Sequence, residues 1–290
     1  MFGIVLALFS ALSFGISQIL VRKNLDKSNF VYISLTVTLM GNVILWPLAL
    51  AFTNFNKLNP EGLILFFVAG LLAPGIARLF YFKGMKNVGI SKNASIFATY
   101  PLYTSVIAVF LLGETLTTEN WVGIACIIIG VIFVERNINS NKNQLTSTSN
   151  LRFIVPVLGS LAIAFSQIIR KEGLNFYNQP ILGVAVGYST SLIVYLLLLL
   201  FSTGSGDSKF SREDLKLFWK PGVGIAAGWL LSFLALSQEM VSVVAPVLQT
   251  ELLFILIFSY LFIRKLENFS FHLIVNAFLI IVGVILISIN

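Results

Sequence analysis

Ten apolar runs, each long enough to cross a bilayer once wound into a helix, leave this chain few ways to fold. They cover residues 3–21, 30–52, 62–83, 92–112, 119–135, 152–170, 180–201, 220–238, 242–263 and 270–288. About 30 Å of hydrocarbon at 1.5 Å per residue calls for about 20 apolar residues. Lipid offers no partner to a bare backbone group, and these runs exceed the roughly 9–11 residues of a barrel strand, so the spanning form is the helix. The expected fold is an all-α membrane protein of ten transmembrane helices. Composition agrees: 57% of residues are hydrophobic and 11% charged, where a soluble domain averages about 25% charged. Disorder needs the opposite balance. The first run has the length of a signal peptide. It lacks a basic stretch ahead of it, since Met1-Phe2-Gly3 carries no charged side chain, and it has a partner later in the chain; it is read as a span.

That partner is part of an internal repeat. Ser17-Gln18-Ile19-Leu20 closes the first span before Arg22-Lys23, and Ser166-Gln167-Ile168-Ile169 closes the sixth before Arg170-Lys171. Glu114-Thr115-Leu116-Thr117 enters the fifth span and Glu267-Asn268-Phe269-Ser270 the tenth, with Gly130 and Gly283 at the same offset from each glutamate. A tract rich in Asn, Ser and Thr separates the copies. The expected organisation is a five-helix repeat over 1–136, a polar linker over 137–151 and a second five-helix repeat over 152–290. Five is odd, so the second copy enters from the opposite face, giving the inverted-topology repeat common in secondary transporters.

Lys and Arg set the orientation. Odd-numbered loops carry 15 of the 19 basic residues; even-numbered loops carry Lys57, Arg170 and Lys171; Arg78 lies inside a span. The positive-inside rule then puts the odd loops in the cytoplasm and both termini outside an inner (cell) membrane. The net charge of +7 is thereby a topology signal, and no nucleic-acid partner is expected. In the seventh loop, Ser211-Arg212-Glu213-Asp214 has the pattern of a helix start, expected to open a short helix on the membrane surface.

Polar groups inside the spans are costly and so mark function by default. Glu251, flanked by Gln249 and Thr250, sits in mid-span. Two roles fit it: a proton-coupling or substrate-binding carboxylate, or a glutamate hydrogen-bonded between helices. Gln249 and Glu251 are about 200° apart on a straight helix, so both face one cavity only if the helix is distorted, and Pro246 can supply that. Arg78 either snorkels to the interface, or clamps an anionic group, or partners Glu251. Pro74-Gly75 precedes it by one turn as a candidate helix break, and Tyr81 shares its face. The fourth span offers Ser95 and Thr99 one turn apart and Tyr100-Pro101, with a kink expected at Pro101. The eighth offers Trp229, Ser232 and Phe233. The candidate substrate site therefore joins Arg78, Tyr81, Ser95, Thr99, Tyr100, Trp229, Ser232, Phe233, Gln249 and Glu251, with hinges at Pro74, Gly75, Pro101 and Pro246. Other features read as structural: Gly183-x-x-x-Gly187 and Gly224-x-x-x-Gly228 as close helix contacts, Gln18 and Gln167 as interhelical bonds, with lining of a pathway as the alternative, His272 as interfacial, and Glu114 and Glu267 as helix-entrance carboxylates. The aliphatic fifth and tenth spans look like scaffold or dimer surface. One Cys and one His give no disulfide framework, metal centre or catalytic set, so no cofactor is expected and the chain is not read as an enzyme.

The segment Leu111-Leu112-Gly113-Glu114-Thr115-Leu116-Thr117, followed by Trp121-Val122-Gly123 and Gly130-Val131, resembles the Gly-Glu-x-Leu segment ahead of the fifth helix in the drug/metabolite transporter superfamily, specifically its ten-helix members with two EamA-type domains. Tyr100-Pro101 is similar to the proline of that family's fourth helix. The resemblance spans about 3–135 and 152–288. The second half departs from it: Arg264-Lys265-Leu266 replaces Leu-Gly ahead of Glu267, and Phe254 falls where a proline would align. The resemblance implies a basket-like bundle around a cavity lined by helices three, four, eight and nine. It also implies alternating-access movement of a small metabolite or amino acid, often outward. The expected function is accordingly a secondary transporter, monomer or homodimer, exporting an amphipathic solute through a midplane cavity. A flippase for a lipid-linked intermediate is the alternative.

Overall fold

The structure, a computed structural model, describes residues 1–24, 27–88, 93, 96–139, 153–202, 210–262 and 271–288, and among these every regular element is a helix. The first two spans are α1 (Phe2–Lys23) and α2 (Phe30–Phe52). The third is interrupted: α3 (Pro60–Gly70) runs through a π-helical turn (Leu71–Ile76) into α4 (Ala77–Val88). Spans four to eight are α5 (Tyr100–Leu111), α6 (Thr118–Asn139), α7 (Ile154–Phe176), α8 (Pro180–Ser202) and α9 (Arg212–Gln238). The ninth is again interrupted, as α10 (Val241–Leu248) and α11 (Glu251–Phe262), and α12 (Phe271–Ser288) is the tenth. Six of these spans are long and apolar enough by themselves to cross a membrane, and four shorter apolar helices complete the ten. The linker expected at 137–151 falls almost wholly outside the described residues, as do Ser95, Glu267 and the side chain of His272.

Helix starts follow local chemistry. Asn29 accepts from the Val31 amide at 3.1 Å, and Asn59 accepts from the Gly62 amide at 3.0 Å with Pro60 in the first turn. Ser211 and Asp214 form the reciprocal capping box expected of them. The helix they open is not a separate surface helix, however. It continues unbroken through Pro221 into the eighth span, 27 residues in all. Its first turns have an inward face: Phe218 is fully buried in a cluster with Phe14 of α1, Ile33 and Val37 of α2 and Ile225 of its own helix, and Asp214 accepts a short hydrogen bond from Ser28. That packing carries the helix past the apolar run.

The packing has a two-fold pattern. α1 lies along α9, as α7 lies along α3 and α4; α9 lies on α2, as α3 lies on α8. α1 packs on α10 and α11, as α7 packs on α5, while α2 with α8, α5 with α10 and α6 with α12 pair with their own counterparts. Exchanging the first five spans with the last five maps these pairings onto each other. Glycines set the closest crossings. A Cβ on Gly70 would stand 2.5 Å from the backbone of Gly187, and one on Gly123 would stand 2.8 Å from the Gly283 carbonyl. Gly224 and Gly228 face Ser17 and the Phe14 ring, so both small-residue spacings are helix contacts. Outward faces carry Val43, Ile64, Phe110, Phe278 and Ile285, all at least half exposed, a band suited to lipid rather than water.

The Gly-Glu pair has a specific job. α5 ends at Leu111, and Gly113 adopts φ +66°, the left-handed backbone that favours glycine. The turn delivers the buried Glu114 carboxylate to the start of α10. There it accepts the amides of Val241 (2.8 Å) and Ser242 (3.0 Å) and the Ser242 hydroxyl. The local pattern assigns Glu114 to the helix it precedes; it caps α10, in the opposite half of the chain, because free amides and the positive end of a helix dipole attract a carboxylate. We predict that Glu114→Ala destabilises the protein by about 1–2 kcal/mol, with Glu114→Gln in between, read as thermal unfolding in detergent. An unchanged melting temperature for the alanine variant would refute the capping role.

Candidate functional site

The break in the third span creates the polar centre of the bundle. Pro74 has no amide to donate, and Ala73 is extended at φ −145°, ψ 133°. Carbonyls that a continuous helix would satisfy are thereby released, and spans six and seven answer them. Ser166 donates to the Ala69 carbonyl at 2.8 Å, Ser191 reaches Gly70 at 3.1 Å and Tyr195 reaches Pro74 at 2.7 Å. Arg170 donates through Nη2 to Ala73. Each donor projects from an unbroken helix, so the irregular turn is braced by regular structure.

Arg170 is the residue that sequence reasoning missed. It counts as a loop cation in the sequence because the apolar run stops there. α7 instead continues to Phe176, placing Arg170 roughly 9 Å inside the helix end. It is 1% exposed, the largest fully buried side chain among the described residues. Its guanidinium carbon lies 4.2 Å from the Trp229 ring centre and 5.3 Å from that of Phe233, close enough for cation–π attraction. Nη1 donates to Gln167 Oε1 at 3.2 Å. Among the described residues no carboxylate lies within ion-pair distance of it. A signal is legible in the sequence: Ser166, Arg170 and Gly173 recur at four and three residues, extending one polar and small face beyond the run's apparent end. Lys171 is likewise no loop residue; its Nζ donates to the Leu236 and Glu239 carbonyls at the end of α9.

Around Arg170 is an interior void of about 10 Å³, lined by Ala73, Pro74, Arg170, Val184, Gly187, Tyr188, Trp229 and Phe233. That is room for about one water; a solute-sized chamber of the kind expected at midplane is not open among the described residues. The Tyr188 hydroxyl and the Ser232 hydroxyl are both buried with no hydrogen-bond partner among the described residues. A larger recess of about 470 Å³, lined by Met1, Phe2, Ile4, Val5, Leu8 and Val284, offers no side-chain polar group to fix a solute.

Of the expected site residues, Pro74, Trp229 and Phe233 line the void, and Ser232 lies on the same helix face as Trp229. Tyr100 is buried beside Gln167, its hydroxyl 3.4 Å from the Ala245 carbonyl, and Glu251 lies within its electrostatic reach. Gln249-Thr250 is the break between α10 and α11, so the distortion that would let Gln249 and Glu251 share a cavity is present; it falls just after Pro246, which is inside α10. The fourth span breaks at Ala98-Thr99, with Thr99 donating to the Ile96 carbonyl at 2.6 Å. Pro101 therefore does not kink a helix at its middle. It occupies the first turn of a new one, where its missing amide costs nothing. Arg78 is deeper than expected: α4 extends to Val88, about ten residues on. Its guanidinium is 5.9 Å from the Tyr195 ring centre. Tyr81 lies away from the void, edge-on to Phe97 at 4.9 Å. Gly75 fits under the Gly70 carbonyl, where a Cβ would come to 3.0 Å. The two repeat amides part company: Gln167 is buried at the site, and Gln18 is exposed.

A ten-span bundle with interrupted helices meeting around a buried cation has the build of a membrane transporter, and comparison with known proteins agrees. Residues 1–136 match the EamA-like transporter family. An uncharacterized transporter of Helicobacter pylori is 20% identical over 269 residues, 89% of this chain and 86% of that protein. The uncharacterized transporter YwfM of Bacillus subtilis is 26% identical over 136 residues, a match that spans 46% of this chain and about half, 45%, of YwfM. A crystal structure with 12% identity superposes with a TM-score of 0.80, covering 99% of this chain and 96% of the other, and shows the same fold. Over residues 1–136 the chain is thus similar to EamA-like transporters, and its apolar spans are those of a multi-pass membrane protein.

The bracing of the broken span predicts a graded loss. Tyr195→Phe should destabilise the protein by about 0.5–1.5 kcal/mol and Ser191→Ala by a similar or smaller amount, measured by thermal unfolding in detergent. Additive, negligible effects of both would mean that the released carbonyls need no partner.

Proposed function

We propose that this protein is a secondary active transporter that exports a small metabolite, an amino acid or related amphipathic solute, by alternating access between its two five-helix halves. The observation that carries the reading is that three spans are interrupted, at Leu71–Ile76, Ala98-Thr99 and Gln249-Thr250, and that residues beside the breaks are linked, Ala73 to Arg170, Arg170 to Gln167, and Tyr100 to Gln167 with Glu251 in its electrostatic reach. Broken helices in lipid are tolerated where they line a pathway and are buried in protein. The void is then the closed remnant of the chamber. Tyr100, Trp229 and Phe233 would flank the solute, and Ser232, Thr99, Ser95 and Gln249 would add hydrogen bonds as the halves part. Tyr81 belongs to the cytoplasmic entrance in this reading, and Pro74, Gly75, Pro101 and Pro246 mark the hinges. Glu251, at the head of α11, is the candidate proton-coupling group.

Orientation follows the same logic. With Arg170 buried and Lys171 bound to α9, Lys57 is the only basic loop residue left on the even face, which sharpens the case for cytoplasmic odd loops and outward termini. A C-terminal reporter that works only in the cytoplasm should be silent; a bright one reverses the orientation.

Transport is tested in proteoliposomes with a panel of labelled amino acids, sugars and nucleosides. At least one solute should exchange across the membrane, and Trp229→Ala should slow it at least tenfold. An imposed pH gradient should drive uptake by the native protein and lose its effect in Glu251→Gln. If that variant responds to the gradient like the native protein, Glu251 does not couple protons.

A further inference from the structure

We propose that the transported solute carries a carboxylate, and that this carboxylate docks on Arg170 with the Tyr188 hydroxyl as a second donor, displacing the Ala73 carbonyl. The inference rests on the transporter reading above and names its substrate class.

A guanidinium 1% exposed in the middle of a membrane protein has a large desolvation cost. Buried charges are normally matched by an opposite charge. Arg170 has no carboxylate within ion-pair distance among the described residues. Its partners are neutral: the Gln167 amide oxygen, the Ala73 carbonyl and two aromatic faces. Two acceptors leave most of its five N–H donors unused.

The Tyr188 hydroxyl is buried, lines the same void and has no hydrogen-bond partner among the described residues. It also lies within electrostatic reach of both Arg170 and Arg78. An orphaned hydroxyl within reach of two cations favours an anionic group over a cationic one at this point.

The walls narrow the class. Pro74, Val184, Trp229 and Phe233 leave little room for a solvated, multiply charged group. A planar carboxylate matches the guanidinium fork, and its apolar body would lie along Trp229. The Ala73 carbonyl can serve as the stand-in only because the third span is broken at that residue. A carboxylate adds an opposite charge and a bidentate fit to the guanidinium that a neutral carbonyl lacks, so it is the better partner. Solute entry would thus release Ala73 and with it the π-helical turn, linking recognition to movement of the third span.

The test uses the purified full-length protein, by thermal shift in detergent and by exchange in proteoliposomes. The probes are L-phenylalanine, L-leucine, phenylacetate and 4-methyl-2-oxopentanoate, set against phenylalaninamide, phenethylamine and inorganic phosphate. At least one carboxylate should raise the melting temperature and exchange, with its amide or amine at least tenfold weaker. Tyr188→Phe is the decisive variant. Its hydroxyl has no partner to lose, so the melting temperature without solute should stay put, while carboxylate affinity should fall about tenfold. Arg170→Lys, which keeps the charge and loses the fork, should weaken the carboxylate at least tenfold. Equal responses to acid and amide, a response to phosphate alone, or carboxylate binding unchanged in Tyr188→Phe would overturn the inference. Exchange of amines or amides without carboxylates would sink it and leave the transporter reading standing. No exchange by any solute of either panel would count against both.

Discussion

A backbone carbonyl inside a bilayer must find a donor within the protein, and the architecture of this bundle is organised around five that a broken helix releases. Ala69, Gly70, Ala73, Pro74 and Gly75 are reached by Ser166, Ser191, Arg170 and Tyr195 from α7 and α8. In water such a break would be cheap, because solvent would cap it. In lipid it is possible only if neighbouring helices bring hydroxyls or amides to the right depth. The small residues of the third and seventh spans belong to the same requirement. Gly70 and Gly187 let two backbones meet, and that proximity lets a serine hydroxyl reach a carbonyl on the next helix.

Much of this is legible in the sequence. Apolar run length is a direct consequence of bilayer thickness, so the ten spans can be counted from the residues alone. The third and ninth spans announce their interruptions through Pro74 and Pro246. Misreadings arise where tertiary contact overrides a local rule. Pro101 sits in the middle of an unbroken apolar run, yet it opens a new helix. Ser211 opens the eighth span because Phe218 finds a pocket on α1 and α2, which no local pattern records. Glu114 looks like a cap for its own helix; its actual partner is 127 residues away in sequence.

Arg170 shows the limit most sharply. Hydropathy treats an arginine as the end of a run, yet α7 carries it inside and satisfies it with an amide, a carbonyl and two rings. In register with the shared Ser-Gln-Ile, the first-span counterpart of Arg170 is Val21, so the repeat does not mark the position. Pattern cannot distinguish a residue that flanks a membrane from one that is enclosed by it. The same is true of Gln18 and Gln167, matching amides of which one faces outward and the other sits beside the buried cation.

The Glu114 carboxylate has a mechanical corollary. It belongs to the turn between α5 and α6, while the amides it binds begin α10, so one anionic group fastens a loop of one half to a helix of the other. Stripping three donors from a carboxylate away from bulk water is expensive. Those two segments should therefore travel as a single rigid piece, and whatever flexing the bundle undergoes has to be taken up elsewhere, at its weaker seams.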